Sequence, residues 1–174
     1  GKTTWDEETH AYKPVKTPVV EGYYADTAVV PGQTVTHDQP NVEVTVTYKP
    51  LGKIIPVDSD GNPIPGAETP TYENDPDDPT KTTTTKTPDI KGYKKSLQEV
   101  TPDNPGEDTK VTYTPIINQV EVPTSQTVKY EGAGDLTPKD NVQNDYTFTG
   151  KSNEATGKTT WDEATHAYKP VTTP

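Results

Sequence analysis

Side chains that could act as nucleophiles are few in this chain. It contains no cysteine, and its histidines are His10, His37 and His166. Its four serines are scattered in turn-like contexts: Ser59, Ser96, Ser125 and Ser152. Nucleophilic catalysis needs a hydroxyl or thiol held beside a base, and no such pairing stands out. Carboxylates are plentiful, but in so acidic a chain they say little about acid–base catalysis. The sequence therefore predicts a protein that is not an enzyme.

Aromatic side chains offer a different chemistry. The apolar face of a sugar packs on a ring, while its hydroxyls bond to nearby polar groups. The candidate sugar-contacting rings are Trp161 (with its repeat copy Trp5), Tyr23, Tyr24, Tyr93 and Tyr72. Each ring can equally belong to a core. The adjacent pair is the most informative, because neighbouring residues of a strand point to opposite faces. We therefore expect either Tyr23 or Tyr24 to be exposed.

The stretch DSDGN places oxygen-bearing side chains at alternate positions, at Asp58, Asp60 and Asn62. Oxygen ligands suit Ca²⁺, but an EF-hand loop has its glycine at the sixth position, and here Gly61 is the fourth residue. Asp-Gly between two apolar runs is also a strong signal for a hairpin turn. We favour the plain turn, keep calcium as the alternative, and expect no other cofactor.

Charge and composition narrow the classes of partner. The net charge is -11, from 16 basic and 27 acidic residues, and nucleic-acid binding needs the opposite sign. No apolar run approaches the roughly 20 residues that span a bilayer, so no membrane insertion is expected in this segment. Only 27% of the residues are hydrophobic, which predicts thin domains with small cores.

The chain begins again near its end. Residues 157–174 repeat residues 1–18 except where Ala164 replaces Glu8 and Thr172 replaces Lys16, a period of 156 residues. A period this long suits domain-sized units in tandem better than the short units of a solenoid. We therefore expect the chain to be a window cut from a tandem array, with ends that need not respect domain boundaries.

Alternating apolar and polar residues dominate the rest of the pattern. In NVEVTVTY, residues 41–48, valines and a tyrosine alternate with polar residues. This pattern predicts a strand with one buried and one solvent-exposed face. The same signature recurs at 109–115, 126–130 and 145–150. No stretch keeps a 3.6-residue apolar period. The sequence therefore predicts a mainly β fold.

A weaker internal repeat divides the period. TPVVEGYYAD, which runs on to VEVTVTYKP, matches TPDIKGYKKS, which runs on to TKVTYTP. We predict a complete module over 51–115, the C-terminal part of a first-type module over 1–50, and the N-terminal part of the next one over 116–174. Such fragments leave strand edges uncovered. Independent folding, closure within the chain and exchange between chains all remain open.

Several of these stretches resemble a known family. QTVKYEGAGDLTP, DYTFTGKSNEATGKTTWDEATHAYKPVTTP, TPVVEGYYAD and VTVTYKP together resemble the mucus-binding (Mub) repeats of lactobacillar surface adhesins. GKIIPVDSDGNPIPG, followed by TPDIKGY and VTYTP, resembles the shorter MucBP module. The resemblance implies elongated tandem modules, mainly β with α+β β-grasp (ubiquitin-like) character. It also implies an extracellular location on a Gram-positive cell surface, with wall anchoring through a region outside this window.

The resemblance implies host mucin glycans as partners, and some relatives also bind immunoglobulins. Because the chain is acidic, recognition of sialylated or sulfated glycans has to rely on short-range hydrogen bonds, stacking or bridging Ca²⁺. Single-site affinity should be low, and tandem repetition compensates by effective concentration. We hypothesise a non-enzymatic adhesin repeat that binds mucin glycans weakly and multivalently. The alternatives are a structural stalk and an immunoglobulin-binding module that uses strand addition.

Overall fold

Short β-strands are almost the only regular elements of this protein. A computed structural model describes all residues, 1–174, and the mainly β prediction is confirmed. One 3-10 helix, Gly134–Leu136, is the only helix. The sixteen strands, in chain order, are β1 (Thr9–Ala11), β2 (Val15–Lys16), β3 (Tyr23–Ala25), β4 (Val29–Val30), β5 (Thr34–Thr36), β6 (Tyr48–Pro50), β7 (Ile54–Val57), β8 (Thr85–Lys86), β9 (Tyr93–Lys95), β10 (Glu99–Val100), β11 (Thr109–Pro115), β12 (Ile117–Pro123), β13 (Gln126–Val128), β14 (Asn141–Gln143), β15 (Thr147–Asn153) and β16 (Lys158–Trp161).

The chain divides into two compact units. The first comprises residues 1–89 and 95–113, and the second comprises residues 90–94 and 114–174. Most of the predicted modules 1–50 and 51–115 therefore lies in one unit, and 116–174 lies in the other. No helix in the chain is both long enough and apolar enough to cross a membrane.

The main core of the first unit forms around a parallel strand pair. β11 pairs in parallel with β7, so that Thr109 aligns with Ile54 and Thr112 with Val57. The buried hydrophobic residues between 51 and 113 are Leu51, Ile54, Val57, Tyr72, Val100, Val111 and Tyr113. Full burial of one such side chain stabilises the fold by about 1.5–3 kcal/mol. A small set of residues therefore supplies most of the apolar stabilisation.

The internal repeat seen in the sequence is also a structural repeat. β2 pairs with β4, and β8 with β10, in antiparallel ladders of matching register. In each copy the tyrosine near the end of the alternating stretch donates a hydrogen bond to a proline carbonyl: Tyr48 to Pro18 and Tyr113 to Pro88. Gly22 and Gly92 precede the Tyr of the Gly-Tyr turn with φ of 85° and 87°, a conformation that glycine adopts without strain.

The second unit is built on an antiparallel sheet in the order β12-β15-β16, with a separate ribbon of β13 and β14. Val122 lies opposite Phe148, and Gly150 lies opposite both Val120 and Trp161. One face of this sheet is therefore apolar. Among residues 90–94 and 114–174 only Gly150 is buried, so no hydrophobic side chain is fully covered in this unit.

One predicted strand is largely absent. The alternation at 41–48 predicts a strand over the whole stretch, yet only Tyr48–Pro50 is a strand, and it pairs with β3. The sequence-equivalent stretch, 109–115, is a strand over its full length. The physical difference is the partner: β11 lies beside β7, whereas no strand lies beside residues 41–47.

The β-grasp part of the fold prediction is not confirmed. That architecture combines a sheet with a helix packed across it, and this chain contains no α-helix. The parallel pairing of the first and last strands of the central module is the one topological feature that a β-grasp module would share.

Candidate functional site

The predicted sugar-contacting rings differ widely in exposure. Tyr23 is 45% exposed and Trp161 is 44% exposed, while Tyr24 and Tyr93 are half-buried. Tyr72 is only 2% exposed, and its hydroxyl donates to the Glu107 carbonyl at 2.7 Å. The expectation for Tyr72 is therefore corrected: its ring belongs to the core and offers no face to a sugar.

The structure brings only some of these rings together. In the first unit, Tyr23 and Tyr24 are neighbours on β3, and neither is fully buried. In the second unit, Trp161 lies with Val122 and Phe148 at a shallow apolar depression. The predicted rings thus form no single aromatic platform within either unit.

A depression lined by polar side chains and one aromatic ring, called the polar depression below, lies on one face of the β3–β6 ribbon. A cavity of about 320 Å³ is lined by Tyr24, Asp26, Thr47 and Lys49. Tyr24 lies directly opposite Lys49 in the antiparallel pair. Beyond the ladder, the Asp26 N–H donates to the Thr47 carbonyl at 3.0 Å. This bond keeps the segments that form β3 and β6 side by side past the ends of the two strands.

Hydrogen bonds orient the carboxylate of this site. The Asp26 Oδ1 accepts from the Thr47 N–H at 3.2 Å and from the Thr27 hydroxyl at 3.0 Å. The Tyr24 ring approaches the backbone at Gly106, where a Cβ would lie 2.6 Å from the tyrosine hydroxyl oxygen, so a larger residue would push the ring away. The site combines an aromatic ring, a carboxylate, an ammonium group and a hydroxyl within one depression, which is the mixture that sugar hydroxyls and ring faces contact.

A side chain from a distant loop holds the turn before β3. Asn74 Oδ1 accepts the Gly22 N–H at 2.9 Å, and its Nδ2 donates to the Val20 and Tyr23 carbonyls at 3.0 and 2.8 Å. A nearby backbone bond, from the Ala25 N–H to the Pro79 carbonyl at 2.8 Å, adds to this attachment. Asn74 therefore positions the strand that carries Tyr24.

Asp26, Thr47, Lys49 and Asn74 are not among the residues that the sequence singles out. A signal for the first three exists, because residues two apart on a strand share a face. Tyr24 and Asp26 have this spacing, and so do Thr47 and Lys49. The pairing of β3 with β6 and the role of Asn74 depend on tertiary contacts and have no local signature.

The predicted calcium residues form a hairpin turn. Asp58 Oδ1 accepts the N–H groups of Asp60 and Asn62, both at 3.0 Å, and the Asp58 N–H donates to the Asn62 carbonyl at 2.8 Å. Gly61 takes φ of 84°, as the turn requires. No cluster of three or more acidic or histidine side chains in the chain has the arrangement of a metal site. Calcium binding at this turn stays a prediction.

The ionisable groups with shifted pKa lie mainly away from the polar depression. Burial raises the pKa of Tyr72 and of Tyr113 above the usual value of 10.0. Hydrogen bonds from the Thr80 hydroxyl and N–H lower the pKa of Asp78. The Lys95 ammonium, 2.8 Å from Asp89, lowers the pKa of that carboxyl. Each of these shifts is thus caused by burial or by a contact with a neighbouring residue.

A much larger opening in the first unit is apolar. Its volume is about 910 Å³, and the valines that line it are Val15, Val30, Val35, Val42, Val44 and Val46. Three of these valines belong to the unpaired stretch 41–47. The opening therefore lies where the predicted strand lacks a neighbour.

Comparison with known proteins yields one family match. Residues 1–52 match the family model of the Muc B2-like domain, and this match supports a mucus-binding-type repeat. The matched residues include all four that line the polar depression. No curated protein and no solved structure matches the chain.

Proposed function

We propose that this chain is a non-enzymatic adhesin repeat that binds mucin glycans weakly and multivalently. In this proposal it belongs to a protein that is anchored to the wall of a Gram-positive cell and displayed on its surface. The match of residues 1–52 to the Muc B2-like domain is the observation that carries this proposal. The family is of a binding type, which agrees with the lack of a nucleophile–base pair in the sequence.

We assign glycan contact to the polar depression of Tyr24, Asp26, Thr47 and Lys49. The tyrosine ring would pack on the apolar face of a sugar, while the carboxylate and the ammonium group would bond its hydroxyls. Lys49 also provides a cation within an acidic protein of net charge -11, where a sialylated or sulfated glycan would otherwise meet repulsion. Tyr23, on the other face of β3, is free to add a second contact.

The central module lacks this combination. At the positions equivalent to Tyr24 and Asp26 it has Lys94 and Ser96. We infer that the first-type module binds the glycan and that the central module acts as a spacer. A shallow, open site gives low affinity, so several copies on one polypeptide are needed for firm attachment.

The test is binding to immobilised mucin, before and after enzymatic deglycosylation, by the chain alone and by a tandem concatemer. We expect the concatemer to bind native mucin and to lose that binding on deglycosylation. Tyr24→Ala should weaken binding by about tenfold, equivalent to roughly 1.4 kcal/mol per site. Tyr12→Ala, which removes an exposed ring outside the depression, is the matched control.

Two outcomes would redirect the assignment. Binding that survives deglycosylation would indicate recognition of a protein, with immunoglobulin as the next partner to assay. No binding in any format would leave the structural stalk. Each measurement is repeated with calcium and with a chelator. If the chelator abolishes binding by the unsubstituted chain and has no effect on the binding of Asp58→Asn, the result would support a calcium site at the DSDGN turn.

A further inference from the structure

The polar depression lies at the junction between two modules. All four residues that line it belong to the C-terminal part of the first-type module, residues 1–50. The next residue, Leu51, begins the central module, and its N–H donates to the Gly22 carbonyl at 2.9 Å. The central module therefore starts beside the turn that precedes β3, and its loops can contact the strand that carries Tyr24.

One loop of the central module, residues 104–107, packs against the ring of Tyr24. A Cβ on Gly106 would lie 2.6 Å from the tyrosine hydroxyl oxygen, 3.1 Å from Cε1 and 3.2 Å from Cζ, and no other atoms are nearer. All three distances are shorter than the roughly 3.5–4.0 Å of an optimal carbon contact. Only glycine therefore allows the loop to lie this close to the ring.

Hydrogen bonds fix the loop itself. The Gly106 N–H donates to Asn104 Oδ1 at 3.0 Å, and the Glu107 N–H donates to the Asn104 carbonyl at 3.2 Å. The Gly52 N–H donates to the Pro105 carbonyl at 2.8 Å, which attaches the loop to the start of the central module. The loop is thus a fixed support on one side of the Tyr24 ring.

No hydrogen bond to the protein holds this ring in place. The hydroxyls of Tyr48, Tyr72 and Tyr113 donate to backbone carbonyls, which restrains those rings. The Tyr24 hydroxyl makes no such bond, so the position of its ring depends on packing against Gly106. The hydroxyl also stays free to bond a sugar.

A second loop of the central module holds the strand beneath the ring. Asn74 makes three hydrogen bonds to residues 20–23, and the Ala25 N–H donates to the Pro79 carbonyl at 2.8 Å. Ala25 lies between the residues that supply the aromatic ring and the carboxylate of the site. The backbone that carries both groups is therefore attached to the central module.

The other junction, from the central module into residues 116–174, is built differently. It keeps the backbone bond, from the Ile116 N–H to the Gly92 carbonyl at 2.8 Å. In the matching antiparallel pairs that follow the two junctions, Ala155 takes the position of Asn74 and has no side-chain amide to bond the turn. The groups that form and support the glycan site thus occur together at the first junction and not at the second.

We propose that the central module completes the glycan site of the module before it: Gly106 fixes the ring of Tyr24, and Asn74 fixes the strand beneath it. This inference rests on the proposed function and adds a condition to it, because a first-type module then binds glycan only where a central module follows directly. The central module, inferred above to be a spacer, also orders its neighbour's site. One such junction occurs in each period of 156 residues, which sets the number of glycan sites in an array.

Gly106→Ala in the full chain tests the role of the loop. The backbone at Gly106 lies outside the left-handed region and accepts alanine, and the atoms nearest to the added methyl group belong to Tyr24. We expect mucin binding to fall by about fivefold, less than the roughly tenfold loss of Tyr24→Ala, because the ring is displaced and not removed. The midpoint of thermal unfolding should shift by less than about 4 °C. In a Tyr24→Ala chain the same substitution should have no further effect on binding.

A readout without mucin separates ring position from glycan binding. The chain is labelled with 3-fluorotyrosine, and the fluorine resonance of Tyr24 is identified by its loss in Tyr24→Phe. Gly106→Ala should move this resonance further than those of the other nine of the ten tyrosines. A Tyr24 resonance that does not move would overturn the proposal. So would an equal loss of mucin binding on Gly106→Ala with and without the Tyr24 ring.

Failure of the proposed function has a different signature. The unsubstituted chain and its concatemer would then not bind mucin, whatever the position of the Tyr24 ring. That outcome would overturn the assignment of a glycan to this junction as well. Mucin binding that is normal in the unsubstituted chain and unchanged by Gly106→Ala would leave the proposed function in place and overturn the role of the central module alone.

Discussion

Two buried tyrosines make the stability of the central module dependent on pH. Tyr72 donates to the Glu107 carbonyl and lies 2.5 Å from the Thr109 hydroxyl oxygen, and Tyr113 donates to the Pro88 carbonyl. Burial is the main cause that raises both pKa values above 10.0. In the unfolded chain both phenols return to their ordinary pKa, so they ionise there before they ionise in the folded protein.

We predict that the free energy of unfolding is constant with respect to these groups below pH 10 and falls as the pH rises above it. The slope is at most about 1.4 kcal/mol per pH unit for each tyrosine, because unfolding releases its proton. Urea unfolding between pH 7 and pH 11 measures this. Tyr72→Phe should reduce the alkaline slope, and its stability at pH 7 separates the lost hydrogen bonds, about 1 kcal/mol, from the ionisation. An unchanged slope would refute this role for the ring.

At the scale of elements, the β3–β6 ribbon depends on a residue outside it. Three hydrogen bonds join Asn74 to residues 20–23, and the ribbon itself has only three residue pairs. So short an antiparallel pair is marginal by itself. The three hydrogen bonds of Asn74 therefore supply a large part of the order of the proposed glycan site.

We predict that Asn74→Ala destabilises the protein by about 1–3 kcal/mol, because the Gly22 N–H and two carbonyls lose their partner. The same substitution should weaken mucin binding although Asn74 does not line the depression. Gln143→Ala, which removes a single bond to the Lys169 carbonyl in the second unit, is the control and should cost less. Thermal unfolding and the mucin assay give the two readouts. Normal binding by a destabilised Asn74→Ala protein would show that Asn74 stabilises the fold but does not order the glycan site.

At the scale of the whole molecule, apolar burial is uneven. The buried hydrophobic side chains all lie in the first unit, and most of them lie between residues 51 and 113. The second unit relies on strand pairing, because no hydrophobic side chain in it is buried. Local stability follows the number of buried apolar contacts.

We predict that the amides of β7 and β11 exchange most slowly and that those of β12, β15 and β16 exchange faster in the isolated monomer. Hydrogen exchange followed by mass spectrometry measures this. Uniform protection across both units in the monomer would contradict this distribution.

Sequence alone determined what depends on local pattern: the mainly β class, the long repeat, the internal repeat, and the turn at Gly61. These follow from period-two alternation and from glycine conformation, which are properties of neighbouring residues. It also identified Tyr24 as a candidate contact. It did not identify Asp26, Thr47 and Lys49 as its neighbours, because the depression forms only when β3 pairs with β6. Nor did it predict that Tyr72 is buried or that 41–47 is unpaired. A ring becomes core, and an alternating stretch becomes a strand, only when distant residues cover it, and that was decided by the tertiary structure.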